Sequence, residues 1–304
     1  MLRRYADLLP KVVVQPPRKL HDTERVAFLR EMTSSLYGLP AAGELLRNPN
    51  AHVVEVHVDH VKALYVLQES AASARLLSKL KRAVARVAAL NTPTLNYIIV
   101  PCPQKRFWPA INEPVGPENI NGAFTYRVGT EVYVFREEEF PKVMLHEAIH
   151  HSSYDPSSSV LTGVEHLFRT SFNIAPDTRL LVNEGIVELV ATHKHAEFVA
   201  YDAGQPFEKL WEREKEWMHD QAQRLLDRCL HGAKWRESSN AFAYIVIRWL
   251  CCHNYDELLR LLAQTSQLLP FFAKCIKSHA TRGTVKRDAA KRCGSMRLTV
   301  FGDF

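Results

Sequence analysis

No two of the six cysteines (Cys102, Cys229, Cys251, Cys252, Cys275 and Cys293) stand in a C-x-x-C pair, which excludes a zinc knuckle and a dithiol redox motif. A free cysteine on an apolar helix face behaves as a small hydrophobe, so buried, reduced thiols in an intracellular protein are expected. No apolar run approaches the roughly 18 residues that cross a bilayer, so no membrane span is expected. Met1 to Leu9 contains two arginines but no apolar h-region, which argues against a secretory signal. The first twenty residues carry Arg3, Arg4, Lys11, Arg18 and Lys19 and little serine. The cytoplasm is the expected compartment, with a mitochondrial address as the alternative. Internal repeats and low-complexity segments are lacking as well.

What is present suffices for a large core: 304 residues, 46% of them apolar. The formal charge of +6 is a modest basic excess. It describes a solvated basic surface and does not make nucleic acid the expected partner.

Along the chain, residues 1–50 read as an irregular, partly helical extension, with prolines at 10, 16, 17 and 40 and one helix over Asp22 to Tyr37. Ala51 to Asp59 alternates Val54, Val56 and Val58 with Glu55, His57 and Asp59, a half-buried strand. On that strand His57, Asp59 and His60 do not share a face, so they are not read as a metal cluster. A helix is expected over His60 to Leu90, a strand over Leu95 to Val100, and a proline-rich loop to Pro117. Residues 120–136 read as a hairpin turning at Val128-Gly129-Thr130. Helices are then expected over 160–172, 178–197, 206–231, 238–252, 255–264 and 268–280, followed by a basic tail, 281–304. The fold class is α+β: a small twisted sheet with a backing helix and a motif-bearing helix (51–151), then a mainly helical subdomain (152–280).

The chemistry lies in His146-Glu147-Ala148-Ile149-His150. Pro141 fits only a first helical turn, so the helix starts near Glu138 or Glu139. One turn apart, His146 and His150 point the same way and suit a tetrahedral zinc ion. Glu147 is placed to act as general base on a metal-activated water. Random composition predicts roughly 0.05 such motifs in a chain like this. A catalytic zinc also needs a third protein ligand. Downstream, Arg179 to Ala191 is apolar apart from Arg179, Asn183, Glu184 and Glu188. Two carboxylates one turn apart on such a helix are costly unless something positive holds them. Glu184 is assigned as third ligand. Glu188 is assigned as acceptor for the outer N–H of one ligand histidine, with Asn183 beside it.

H-E-x-x-H followed by a helix with N-E-x-x-x-E resembles the gluzincin zinc metallopeptidases, the thermolysin-like and aminopeptidase-like enzymes. The resemblance covers roughly residues 120–196. It implies a zincin-like fold, a zinc cofactor and a peptide or protein substrate, with Glu184 as ligand and Glu188 behind a histidine. Asn121-Gly122-Ala123-Phe124 is similar to the thermolysin-like edge strand. By that resemblance, the backbone of Gly122, Ala123 and Phe124 would pair with an extended peptide. The spacing departs from the family: 33 residues separate His150 from Glu184, and the extra segment, Ser152 to Thr178, is expected to form a lid or cleft wall. The G-x-M-E-N signature is lacking, and Ser153 and Pro156 exclude a metzincin.

Hydrolysis would also need an oxyanion donor. Tyr244 is the candidate, with Tyr154, His166 and His193 as alternatives; His193 and His195 otherwise read as helix-end cations. The expected activity is a zinc peptidase. The alternative is a catalytically inactive peptide- or protein-binding protein on the same fold.

Overall fold

The valine alternation after Ala51 builds the middle of one mixed sheet. The computed structural model describes residues 1–34, 42–90, 92–110, 113–126, 128–229, 234–281 and 295–302. Its strands are β1 (Val13–Val14), β2 (Arg18–Lys19), β3 (His52–Val58), β4 (Val61–Leu67), β5 (Leu95–Cys102), β6 (Ala123–Thr125) and β7 (Glu131–Arg136). They lie in the order β1-β3-β4-β5-β7-β6, with β2 also on β3. The pairs β4–β5 and β5–β7 are parallel; β3–β4 and β6–β7 are antiparallel.

The helices are α1 (Leu2–Leu8), α2 (Asp22–Ser34), α3 (Ala42–Arg47), α4 (Ala74–Ala89), α5 (Pro117–Ile120), α6 (Phe140–Ile149), α7 (Thr162–Ser171), α8 (Val182–Ala203), α9 (Phe207–Cys229), α10 (Arg248–Cys251), α11 (Tyr255–Leu261) and α12 (Leu268–Thr281). A π-helical turn, Ala243–Ile247, leads into α10. Residues 35–37 of the helix expected over Asp22 to Tyr37, and 230–231 of the helix expected over 206–231, lie outside the described residues.

The helix expected over His60 to Leu90 is a correction. Near its start, Val61–Leu67 is β4, paired residue for residue with β3 from Val58↔Val61 to His52↔Leu67. Asp59, at φ 53°, makes the turn, and β-branched and aromatic residues at 61, 65 and 66 favour the pleated conformation. Cross-strand pairing overrides the helical spacing of Leu64, Val66 and Leu67. The helix begins only at α4, where Ser73 Oγ accepts from the Leu76 N–H at 3.2 Å.

Successive β5 residues serve opposite cores. Tyr97 and Ile99 face α4, α6 and the helical half. Ile98 and Val100 face Phe28, Met32, Leu45 and Leu46 of α2 and α3. Within the partly helical first fifty residues, β1 and β2 therefore extend the sheet, α1 packs on the first core, and α2 and α3 cover the second face. The C-terminal stretch is likewise not all tail. Met296, Leu298 and Phe301 are buried, whereas 282–294 and 303–304 lie outside the described residues. Among the described residues, no helix is long and apolar enough to cross a membrane. Cys102, Cys251, Cys252 and Cys275 are buried and stand outside any disulfide; Cys293 lies outside the described residues, as does the side chain of Cys229.

Candidate metal centre

α6 starts after Glu139, a buried residue in the left-handed region at φ 62°. The Glu139 carboxylate justifies that conformation. It accepts from the Leu298 and Thr299 N–H groups at 3.1 and 2.8 Å, and it pairs with Arg106. Pro141 occupies the first turn. Tyr97 of β5 donates to the Met144 carbonyl at 2.8 Å, which ties the helix to the sheet. All ten residues of α6 are buried, Lys142 among them.

One turn apart on this helix, His146 and His150 bring their Nε2 atoms within 3.2 Å. Glu184, in the first turn of α8, places Oε2 3.5 Å from each. A tetrahedral zinc with ligands at about 2.0–2.1 Å separates its donors by about 3.3 Å. The three donors fit that ion closely.

The outer nitrogens are fixed as well. His146 Nδ1 lies 2.8 Å from Glu188 Oε2, and His150 Nδ1 lies 2.9 Å from Asp155 Oδ2. Each carboxylate accepts a hydrogen bond from Nδ1–H and so turns the Nε2 lone pair toward the shared point. Two lone pairs and a carboxylate oxygen facing one another repel unless a proton or a cation sits among them. Asn183 steadies the second pair, donating to Asp155 Oδ1 at 3.0 Å. Glu188 is held in turn by Lys142 and by Arg248 at 3.2 Å.

The charges respond accordingly. Burial pushes the His146 imidazole down, but its contacts with Glu184 and Glu188 outweigh that and hold it above the usual range. His150 is likewise held well above the usual range, with Glu184 and Asp155 overcoming its burial. The two histidines hold the Glu184 carboxyl far below the ordinary value despite its burial. Glu188 falls to about 2, Lys142 and His146 overcoming its desolvation. Glu147 moves the other way, pushed up by burial against the opposing pull of His146 and His150.

His146, Glu147, His150, Asn183 and Glu184 line a cleft of about 230 Å³. Asn121 and Ala123 to Thr125 form one side and Asn240 and Tyr244 another, while Glu147 sits in the floor beside the histidines. Ser158 contributes from the segment expected to be a lid or wall. Tyr244 donates to Glu184 Oε2 at 3.2 Å and sets its ring edge-on to His146. It stands on the π-turn, and such turns gather at functional sites. Gly185 permits the approach: a Cβ there would lie 2.8 Å from the Ala243 carbonyl oxygen and from Ile247 Cβ. Gly122 does not line the cleft. It holds the edge strand in place, its carbonyl accepting from the Phe135 and Arg136 N–H groups at 3.0 and 3.3 Å.

His193 is not near this cleft. It stacks on Tyr255 with ring centroids 3.8 Å apart. His193 and His195 are not helix-end cations either, because α8 runs on to Ala203. Both are buried, and burial pushes His193 down to about 3 and His195 well below its usual range. Neither Tyr154 nor His166 lines the cleft. Sequence reasoning did not single out Asp155, Lys142 or Arg248 for the site; Asp155, next to Pro156 and five residues past His150, is the one a local signal could have indicated.

No protein-family model matches the chain, and neither a curated protein nor a solved structure shows a match to it.

Proposed function

We propose that this chain is a zinc-dependent metallopeptidase with a zincin-like α+β fold of the gluzincin type. The observation that carries the reading is the convergence of His146 Nε2, His150 Nε2 and Glu184 Oε2 on one point, in the floor of a cleft walled by β6. The donor set of two imidazoles and one carboxylate is that of a hydrolytic zinc with an open position. A zinc ion there supplies Lewis acidity toward water and a scissile carbonyl.

The protein's own groups do the rest. Among the described residues, β6 pairs in the sheet with β7 alone, and its other edge suits an extended peptide added as a further strand. Glu147 takes a proton from the attacking water and delivers it to the leaving amine; a carboxyl raised by burial is suited to both tasks. Tyr244, whose phenol is held protonated far above its usual range by burial, donates to the developing oxyanion. The presence of Glu147 in the cleft favours turnover over passive binding.

A quenched-fluorescent peptide library incubated with the purified protein tests this. Hydrolysis should cease on chelation, return with zinc, and fall by about 10²–10⁴-fold in Glu147→Gln. Absence of cleavage by zinc-loaded wild type, with peptides still bound, would favour the binding-protein alternative.

A further inference from the structure

The cleft does not end at the metal donors. Past Ser158, Arg179 and Leu181 it continues into a second depression of about 350 Å³, which those same residues also line. Arg179 stands at the junction and is exposed. Among the described residues, it is the one arginine or lysine that lines the cleft.

Its backbone is held firmly. The flanking Thr178 and Leu180 are 3% and 2% exposed. Arg169 donates to the Ala175 and Thr178 carbonyls at 3.0 and 2.7 Å, and Thr178 Oγ1 donates to the Trp235 carbonyl at 3.2 Å. Arg169 thus spends its guanidinium on the loop that presents Arg179, and Glu165 of the second depression lies in the field of Arg169. The paired N–H groups of a guanidinium match the geometry of a carboxylate.

We propose that Arg179 makes the cleft selective for peptides bearing a carboxylate a few residues from the scissile bond, supplied by an Asp or Glu side chain or by a free C-terminus. The assignment rests on the peptidase reading of this same cleft. It adds a substrate class: acidic peptides are favoured, and peptides with Lys or Arg at that position are repelled.

The test is fluorescence anisotropy with zinc-loaded Glu147→Gln, which keeps the cleft and removes the base. The probes are short fluorescein-labelled alanine-based peptides carrying Glu, Gln or Lys at one scanned position, each with a free-acid or an amidated C-terminus. At one position Glu should bind about tenfold tighter than Gln. That preference should vanish in Arg179→Ala and turn toward Lys in Arg179→Glu; thermal melts should show both variants folded. A preference that follows the scanned Glu identifies a side-chain carboxylate, and one that disappears on amidation identifies the C-terminus. Equal binding of all probes, binding of none, or a preference that survives Arg179→Ala would overturn the assignment. Parallel hydrolysis assays separate the two readings. Carboxylate-selective binding without any cleavage by wild type removes the peptidase reading alone, and cleavage without carboxylate preference removes the Arg179 assignment alone.

Discussion

Glu188 accepts a hydrogen bond from His146 Nδ1–H at 2.8 Å, while its other oxygen meets Lys142 and, at 3.2 Å, Arg248. One carboxylate therefore orients an imidazole of the candidate centre and pairs with two buried cations. Arg248 also donates to the Leu298 carbonyl, so the C-terminal stretch is fastened to the same node.

Glu188→Gln should show both roles. Loss of the oriented imidazole predicts about 10–100-fold weaker zinc binding. Loss of the counter-charge for Lys142 and Arg248 predicts about 3–5 kcal/mol of destabilisation. Asp155→Asn relaxes His150 without stranding Lys142 or Arg248, so it should weaken zinc with a smaller change in Tm. Chelator competition and thermal melts on the two variants check the contrast; equal Tm losses would contradict it.

Tyr244→Phe removes the cleft hydroxyl and keeps the ring against His146. Peptide hydrolysis should fall about 10²–10³-fold in kcat, with zinc content unchanged. Full activity in Tyr244→Phe would reduce the residue to packing.

Gly185→Ala should be costly although alanine favours helices. Its methyl group meets the Ala243 carbonyl oxygen and Ile247 Cβ at 2.8 Å, and overpacking of this kind costs about 1–3 kcal/mol. The π-turn would have to move away from α8, carrying Tyr244 from Glu184. A lowered Tm together with a lowered kcat is expected; an unchanged Tm would show that the two segments separate freely.

Stability should decline from mildly acidic toward neutral pH through Glu237. Burial raises its carboxyl to about 8, against the hydrogen bond from the Phe242 N–H. The folded state therefore holds a proton that the unfolded chain releases near pH 4.5. The stabilisation is complete below that pH and is lost as pH rises toward about 8. Glu237→Gln keeps an acceptor and removes the titration, so its Tm should vary less with pH across this window, by on the order of a few kcal/mol in stability. Parallel Tm–pH curves for wild type and variant would contradict this.

The site was legible wherever its geometry is local. The turn between His146 and His150 follows from spacing alone, and two carboxylates on an apolar helix announce a partner. Asn121 to Phe124 beside a second β-rich run marks β6. What the sequence hid is non-local. Lys142 and Arg248 look like ordinary cations until α6, α8 and α10 bring them to Glu188. β4 shares its apolar spacing with a helix, and only pairing with β3 decides between the two. The stretch at 295–302 shows its role only where Glu139 receives the Leu298 and Thr299 N–H groups.

Zinc analysis of purified wild type beside Glu184→Ala tests the centre most directly. The account predicts about one zinc per chain in wild type and sharply reduced retention in Glu184→Ala, with Glu147→Gln keeping its metal. Wild type that binds no zinc, or Glu184→Ala that retains it undiminished, would contradict the three-donor site.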